Sequence, residues 1–224
     1  MATAAFQEAR RTHTSFLADK EKQALVAMAK RMPVWVNSDH LTALGFIAMI
    51  AAGLAYWQAR YNPLALWLVS LLLVINWFGD SLDGTLARVR NHLRPRYGFY
   101  VDHILDAIGT LALLAGLAAS GYMSPLVAAG TVIAYFLISI EVYLATYSVG
   151  RFHISHWKFG PTELRILLII GNAALLRNPV VKVGGKEFLL FDIGAVTGIV
   201  GMTAMLLHAV FRHTRELYRA EPLP

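Results

Sequence analysis

Four aspartates crowd into residues 80–106, the stretch DSLDGTLARVRNHLRPRYGFYVDHILD. Asp80 and Asp83 stand three apart, and Asp102 and Asp106 four apart, so on helices each pair shares one face. Apolar sequence flanks the stretch on both sides. Carboxylates at the edge of a membrane-type segment are costly and need a partner or a task. The few arginines nearby cannot neutralise four acids in a dry site, whereas hard divalent cations take such oxygen ligands readily. At about 100° per residue, Asp80, Asp83 and Ala87 fall on one helix face, with Gly84 and Arg88 to either side. Gly84 lets a ligand approach the backbone, Ala87 leaves room, and the Arg88 fork matches a phosphate. Gly98, one turn before Asp102, keeps the next helix start open. Gathered together, the four carboxylates can hold one or two cations that clamp a diphosphate. A carboxylate left partly free can take a proton from an attacking hydroxyl.

The rest of the chain must carry this stretch at a membrane. Of its 224 residues 57% are hydrophobic and 15% charged, and the mean hydropathy is +0.52. A soluble domain is nearer half apolar and a quarter charged. The chain has no cysteine, which excludes disulfides, a thiolate nucleophile and a Cys-based zinc site. The net charge of +6 comes from basic residues at the ends of apolar segments. That is the pattern of a protein facing anionic lipid, not nucleic acid. The first thirty residues lack the apolar core of a signal peptide.

The reading in order is an all-α membrane protein with six transmembrane helices behind an amphipathic interfacial helix. Residues 1–40 form a cytoplasmic juxtamembrane segment, 41–212 the six-helix catalytic domain and 213–224 a cytoplasmic tail. The interfacial helix is expected over 3–32, with apolar Phe6, Phe16, Leu17, Leu25, Val26 and Met28 among basic residues. Pro33 breaks it, and Asn37, Ser38 and Asp39 offer caps for the next helix. Spans are expected at about 41–59, 64–89, 97–120, 125–148, 162–177 (a short one) and 189–211, with a small hairpin within 178–187. The Lys and Arg distribution puts both termini and the 80–106 motif on the cytoplasmic side, although Arg177, Lys182 and Lys186 fit less well.

The spacing D-x2-D-G-x2-A-R-x9-G-x3-D-x3-D, from Asp80 to Asp106, resembles the signature of the CDP-alcohol phosphotransferases, with all eight fixed positions present. The six spans, the N-terminal surface helix and the Asn37–Thr42 segment also agree with that family. The resemblance implies transfer of a phosphoalcohol from a CDP-alcohol to an acceptor hydroxyl, with release of CMP. It implies Mg2+ or Mn2+, two ions, a homodimer in the bilayer, and a site open to the cytoplasm of a bacterial inner membrane. Matched residue by residue, Asp80, Asp83 and Asp102 would be metal ligands. Asp106 would bind the second metal or act as the base. Gly84, Ala87 and Arg88 would contact the cytidine diphosphate, and Gly98 would pack near the cytosine. His103 after Asp102, and the stretch 147–163 ending Pro161-Thr162-Glu163, resemble the choline and ethanolamine branch. There His103 and Glu163 together would handle the acceptor proton. The alternative branch uses CDP-diacylglycerol and a polar alcohol. For it, Arg94, Arg96, Arg151 and Arg165 offer contacts to a phosphorylated acceptor.

Blander readings stand beside these. His103 can be a polar lining residue, and Glu163 and Arg165 a helix-start acid and an interfacial cation. His153 and His156 read as interface residues, Asp192 as a helix cap, and the tryptophans as belt or packing residues. Gly194 and Gly198 permit close helix packing, within the chain or between copies. A transporter or channel using the buried aspartates as a cation site is the competing class. The chain shows no repeated halves, and transport gives no reason for Gly84, Ala87 and Arg88 at fixed offsets.

Overall fold

The computed structural model describes residues 18–149, 161–221 and 223, with side chains from residue 21 onward. The expectations for Phe6, Phe16, Leu17, Arg151, His153, His156 and Trp157 lie outside the described residues. The elements are α1 (Ala18–Arg31), α2 (Ser38–Ala59), α3 (Ala65–Val89), α4 (Pro95–Ser120), α5 (Pro125–Ser148), α6 (Pro161–Leu175), β1 (Val180–Val183), β2 (Lys186–Leu189) and α7 (Leu190–Ala220). Among the described residues five helices, α2, α3, α4, α5 and α7, are long and apolar enough to cross a membrane. The sixth expected span, α6, has 15 residues, short of the roughly 20 a crossing usually needs.

The local signals act as their chemistry dictates. Asn37 caps α2: its side chain accepts the His40 N–H at 3.0 Å, while the His40 ring accepts the Asn37 N–H at 3.3 Å. Proline opens α4, α5 and α6 at their first turns, where its missing N–H costs nothing. Gly121, with φ 83°, ends α4. β1 and β2 form the expected hairpin, turning on Gly184 and Gly185 at positive φ. Helix α7 runs to Ala220, beyond the end expected for its apolar run. Hydropathy marks where lipid ends, and a helix with a charged surface can continue into water.

Two glycine crossings set the helices that carry the acids. α2 meets α3 at Gly45 and Gly79, where a Cβ on Gly79 would lie 2.6 Å from the Leu41 carbonyl oxygen. α2 meets α4 at Gly53 and Gly116, where a Cβ on Gly116 would lie 1.9 Å from the Gly53 carbonyl oxygen. Backbones this close are possible only without side chains between them. Helix α2 thus holds α3 and α4 side by side. Beyond the crossings the main core gathers Tyr56, Leu66, Leu73, Leu113 and Leu117. Within it the Tyr56 hydroxyl donates to Asn172 at 2.8 Å, which donates to Ser70 at 3.2 Å, so α2, α6 and α3 share a satisfied polar chain.

A second core lies at the motif end, where Leu25 and Ala29 of α1 pack with Val36, Leu41, Leu82 and Leu86. Part of the apolar face of α1, read from the sequence as lipid-facing, is thus covered by α3. Arg90 fixes the end of α1 by donating to the carbonyls of Met32 and Pro33, each at 2.9 Å, and of Val36. Asp192, expected to cap its own helix, does other work. Its carboxylate accepts the Ser124 N–H at 2.8 Å and the Ser124 hydroxyl, and so satisfies the start of α5. The backbone N–H groups at a helix start attract a carboxylate whichever helix supplies it.

Candidate metal and diphosphate site

Asp80 of α3 and the i, i+4 pair Asp102 and Asp106 of α4 turn toward one another. Asp80, Asp102 and Asp106 each offer a carboxylate oxygen, and the three lie within 4.8 Å of one another. Asp80 and Asp102 are partly buried and Asp106 is the most open of the three. Three hard oxygen donors from two rigid helices form a donor set that fits a divalent cation of the magnesium or manganese kind.

Asp83 stands just outside this trio. It feels the negative charge of Asp80 and Asp102, but its own oxygens are engaged. Asp83 Oδ2 accepts the Thr42 hydroxyl at 2.6 Å, and Oδ1 accepts the Gly84 N–H at 2.5 Å. Thr42 sits one turn into α2, so this bond ties the motif to the helix that sets the crossings.

The small residues leave space. Among the described residues, a Cβ on Gly84 would meet only Arg88, whose Nη1 would be 3.8 Å away, and a Cβ on Gly98 would meet nothing within 4 Å. Arg88 is steered by Thr85, whose hydroxyl accepts from it at 3.2 Å. Ala87 is on the same stretch of α3 and partly buried.

His103 is held more firmly than a lining residue need be. Its Nδ1 lies 2.7 Å from the Phe99 carbonyl, which can only accept, so Nδ1 carries a proton. The ring lies 4.2 Å from that of Phe99 and meets Tyr143 of α5 edge-on at 5.1 Å. Nδ1 is 3.6 Å from Asp102.

Arg165, one helical turn after the start of α6, is the residue whose place the sequence reading least anticipated. It is buried, its Nε donates to Asn76 at 2.8 Å, and an Nη donates to Asp80 Oδ2 at 2.5 Å. Asn76 in turn donates to the Gly45 carbonyl at 2.9 Å. The sequence offered Arg165 as an interfacial cation or a contact to a phosphorylated acceptor; its burial against Asp80 and Asn76 corrects the interfacial reading. Glu163 occupies the first turn of the same helix, with Oε1 buried. The start of α6 is also tied to α1, because Glu21 accepts from Thr162 at 2.9 Å and from the Trp77 indole at 2.7 Å. Arg94 pairs with Asp39 and lies over the Tyr97 ring at 4.3 Å. These bonds gather α1, the α3–α4 loop and the start of α6 around the acids.

Comparison with known proteins agrees with this geometry. A family model described as CDP-alcohol phosphatidyltransferase matches residues 35–211. An archaetidylinositol phosphate synthase of Pyrococcus horikoshii is 26% identical over 133 residues, covering 59% of this chain and 64% of that protein. A ceramide phosphoethanolamine synthase of Drosophila melanogaster is 45% identical over 53 residues, 21% of this chain and 14% of that protein. The chain therefore spans under two thirds of the length of either relative. The family match covers most of the chain and contains every residue of the aspartate motif, so the chain belongs to the CDP-alcohol phosphatidyltransferase family.

Proposed function

We propose that this protein transfers a phosphoalcohol group from a CDP-alcohol to the hydroxyl of a second alcohol, releasing CMP. The observation that carries the reading is the convergence of Asp80, Asp102 and Asp106 from two helices. Those three would hold the metal, with Asp83 joining them when Thr42 yields an oxygen. Bound there, one or two Mg2+ or Mn2+ ions would neutralise the diphosphate and stabilise the charge that develops as CMP leaves.

The chain's own groups do the rest. Gly84, Ala87 and Gly98 leave room for the cytidine diphosphate, and Arg88 takes a phosphate oxygen in its fork. Asp106, the most open acid, orients the acceptor hydroxyl or removes its proton. His103 is the other candidate base: its Nδ1 bond to Phe99 orients the ring, and Glu163 would support it.

The relatives' names point to both branches, one making ceramide phosphoethanolamine and the other archaetidylinositol phosphate. The substrate pair is therefore left to experiment. The chain would be a homodimer in the bilayer. The α7 face supports this, since among the described residues a Cβ on Gly194, Gly198 or Gly201 would meet nothing within 4 Å. Helix α6 would be the sixth crossing. It rises about 22 Å, enough where its ends are recessed in the bundle, and it would place the site and both termini on the cytoplasmic side of a bacterial inner membrane.

The test is CMP release by the purified protein, followed by mass spectrometry of the lipid product. One arm offers CDP-diacylglycerol with polar alcohols and their phosphates. The other offers CDP-choline or CDP-ethanolamine with diacylglycerol or ceramide. A lipid product in one arm, abolished by chelation, is expected. Cation flux in vesicles without CMP release in either arm would contradict it.

A further inference from the structure

Arg165 stands beside a carboxylate that would hold a cation. Its guanidinium is buried and contacts Asp80 Oδ2 at 2.5 Å, while Asp80 also belongs to the acidic trio. A buried guanidinium needs a matched anion, and a buried carboxylate needs a matched cation. Each supplies the other here. The fork is also aimed, because Asn76 fixes its Nε and is itself anchored to the Gly45 carbonyl at the α2–α3 crossing. This side chain therefore neutralises Asp80 from a different helix, with its orientation set in advance.

A divalent ion drawn to the trio meets that positive charge at the same carboxylate. We infer that Arg165 is a built-in counter-ion for Asp80: it holds the carboxylate in place while the cation is absent and competes with the cation for it. The inference rests on the metal-site reading above and adds a sign to it. A residue that merely joined α6 to α3 would, when removed, loosen Asp80 and weaken cation binding. A competing counter-ion would, when removed, strengthen it. Arg165 is thus a positioning residue that keeps cation affinity moderate, so that the ion can exchange between turnovers.

The test is a Mn2+ titration of the purified full chain in nanodiscs, with free Mn2+ counted by electron paramagnetic resonance. Arg165→Gln is expected to bind Mn2+ about tenfold tighter than the wild type, because removing a nearby like charge in a partly buried site has effects of that order. Equal or weaker binding by a folded Arg165→Gln protein overturns the inference. Failure of the wild type itself to bind Mn2+ would remove the metal-site reading, a separate and recognisable result. Should Arg165→Gln not fold, the Mn2+-loaded wild-type structure decides. The Arg165–Asp80 contact is expected to open from 2.5 Å to beyond about 3.5 Å, past hydrogen-bond reach. A contact retained beside a bound ion overturns the inference.

Discussion

At the residue scale, the acids differ in what holds them. Asp80 is fixed by Arg165, Asp83 by Thr42 and by the backbone of Gly84, and Asp106 is open. Replacing any of Asp80, Asp102 or Asp106 with Asn removes a hard ligand but keeps the shape. Each change should lower CMP release by at least about a hundredfold while the detergent-solubilised protein melts normally. Normal turnover in any of the three would detach that residue from the chemistry. Thr42→Val keeps the volume but releases Asp83 Oδ2. Groups that orient a ligand from behind are worth roughly 10- to 100-fold, so its CMP release should fall by about tenfold, between wild type and the Asn variants. The pairing of Asp102 with Asp106 could be read from their spacing, because i, i+4 is a property of a single helix, whereas the i, i+3 spacing did not show that Asp83 turns to Thr42 instead. Thr42 and Arg165 could not, since their partners lie 41 and 85 residues away and no local pattern records such a meeting.

At the scale of elements, two kinds of glycine have opposite tasks. Gly79 and Gly116 let α2 touch α3 and α4, and a Cβ at either would collide with backbone that cannot yield. Gly79→Ala or Gly116→Ala should therefore destabilise the bundle by about 1–3 kcal/mol or more, seen as a lower melting temperature together with lost activity. Gly84 and Gly98 have free space instead. Gly98→Ala should leave the melting temperature unchanged and weaken CDP-alcohol binding, a rise in KM that the packing glycines would not show in isolation. The four long helices α2 to α5 were legible in the sequence, with starts missed by up to about three residues, because turns and prolines bound their apolar runs. The crossings were not. A small residue signals close approach only when its counterpart on another helix is known, so Gly45 with Gly79, and Gly53 with Gly116, carried no mark. For α1 a helix was legible over the described Ala18–Arg31, but an amphipathic pattern does not say whether lipid or α3 covers the apolar face.

At the scale of the whole molecule, contacts among the described residues gather basic segments at one end of the bundle. The basic α3–α4 loop, the end of α1 and the start of α6 come together at the end of the bundle that carries the acids. The hairpin and the Ser124–Asp192 contact lie at the start of α5 and α7. The absence of cysteine makes the orientation directly testable with single introduced thiols. In intact cells, Asn62→Cys and Lys186→Cys should react with a membrane-impermeant maleimide. His92→Cys and Glu216→Cys should react only after the membrane is opened. The reverse pattern would put the site on the wrong side for a cytoplasmic nucleotide.

The proposed chemistry requires that one ion be shared by acids from two helices. Anomalous diffraction from a crystal grown with Mn2+ tests this most directly. The expected result is a manganese peak about 2.0–2.2 Å from oxygens of Asp80, Asp102 and Asp106, the spacing of hard six-coordinate ions. Manganese bound elsewhere, with those three carboxylates left unligated, would contradict it.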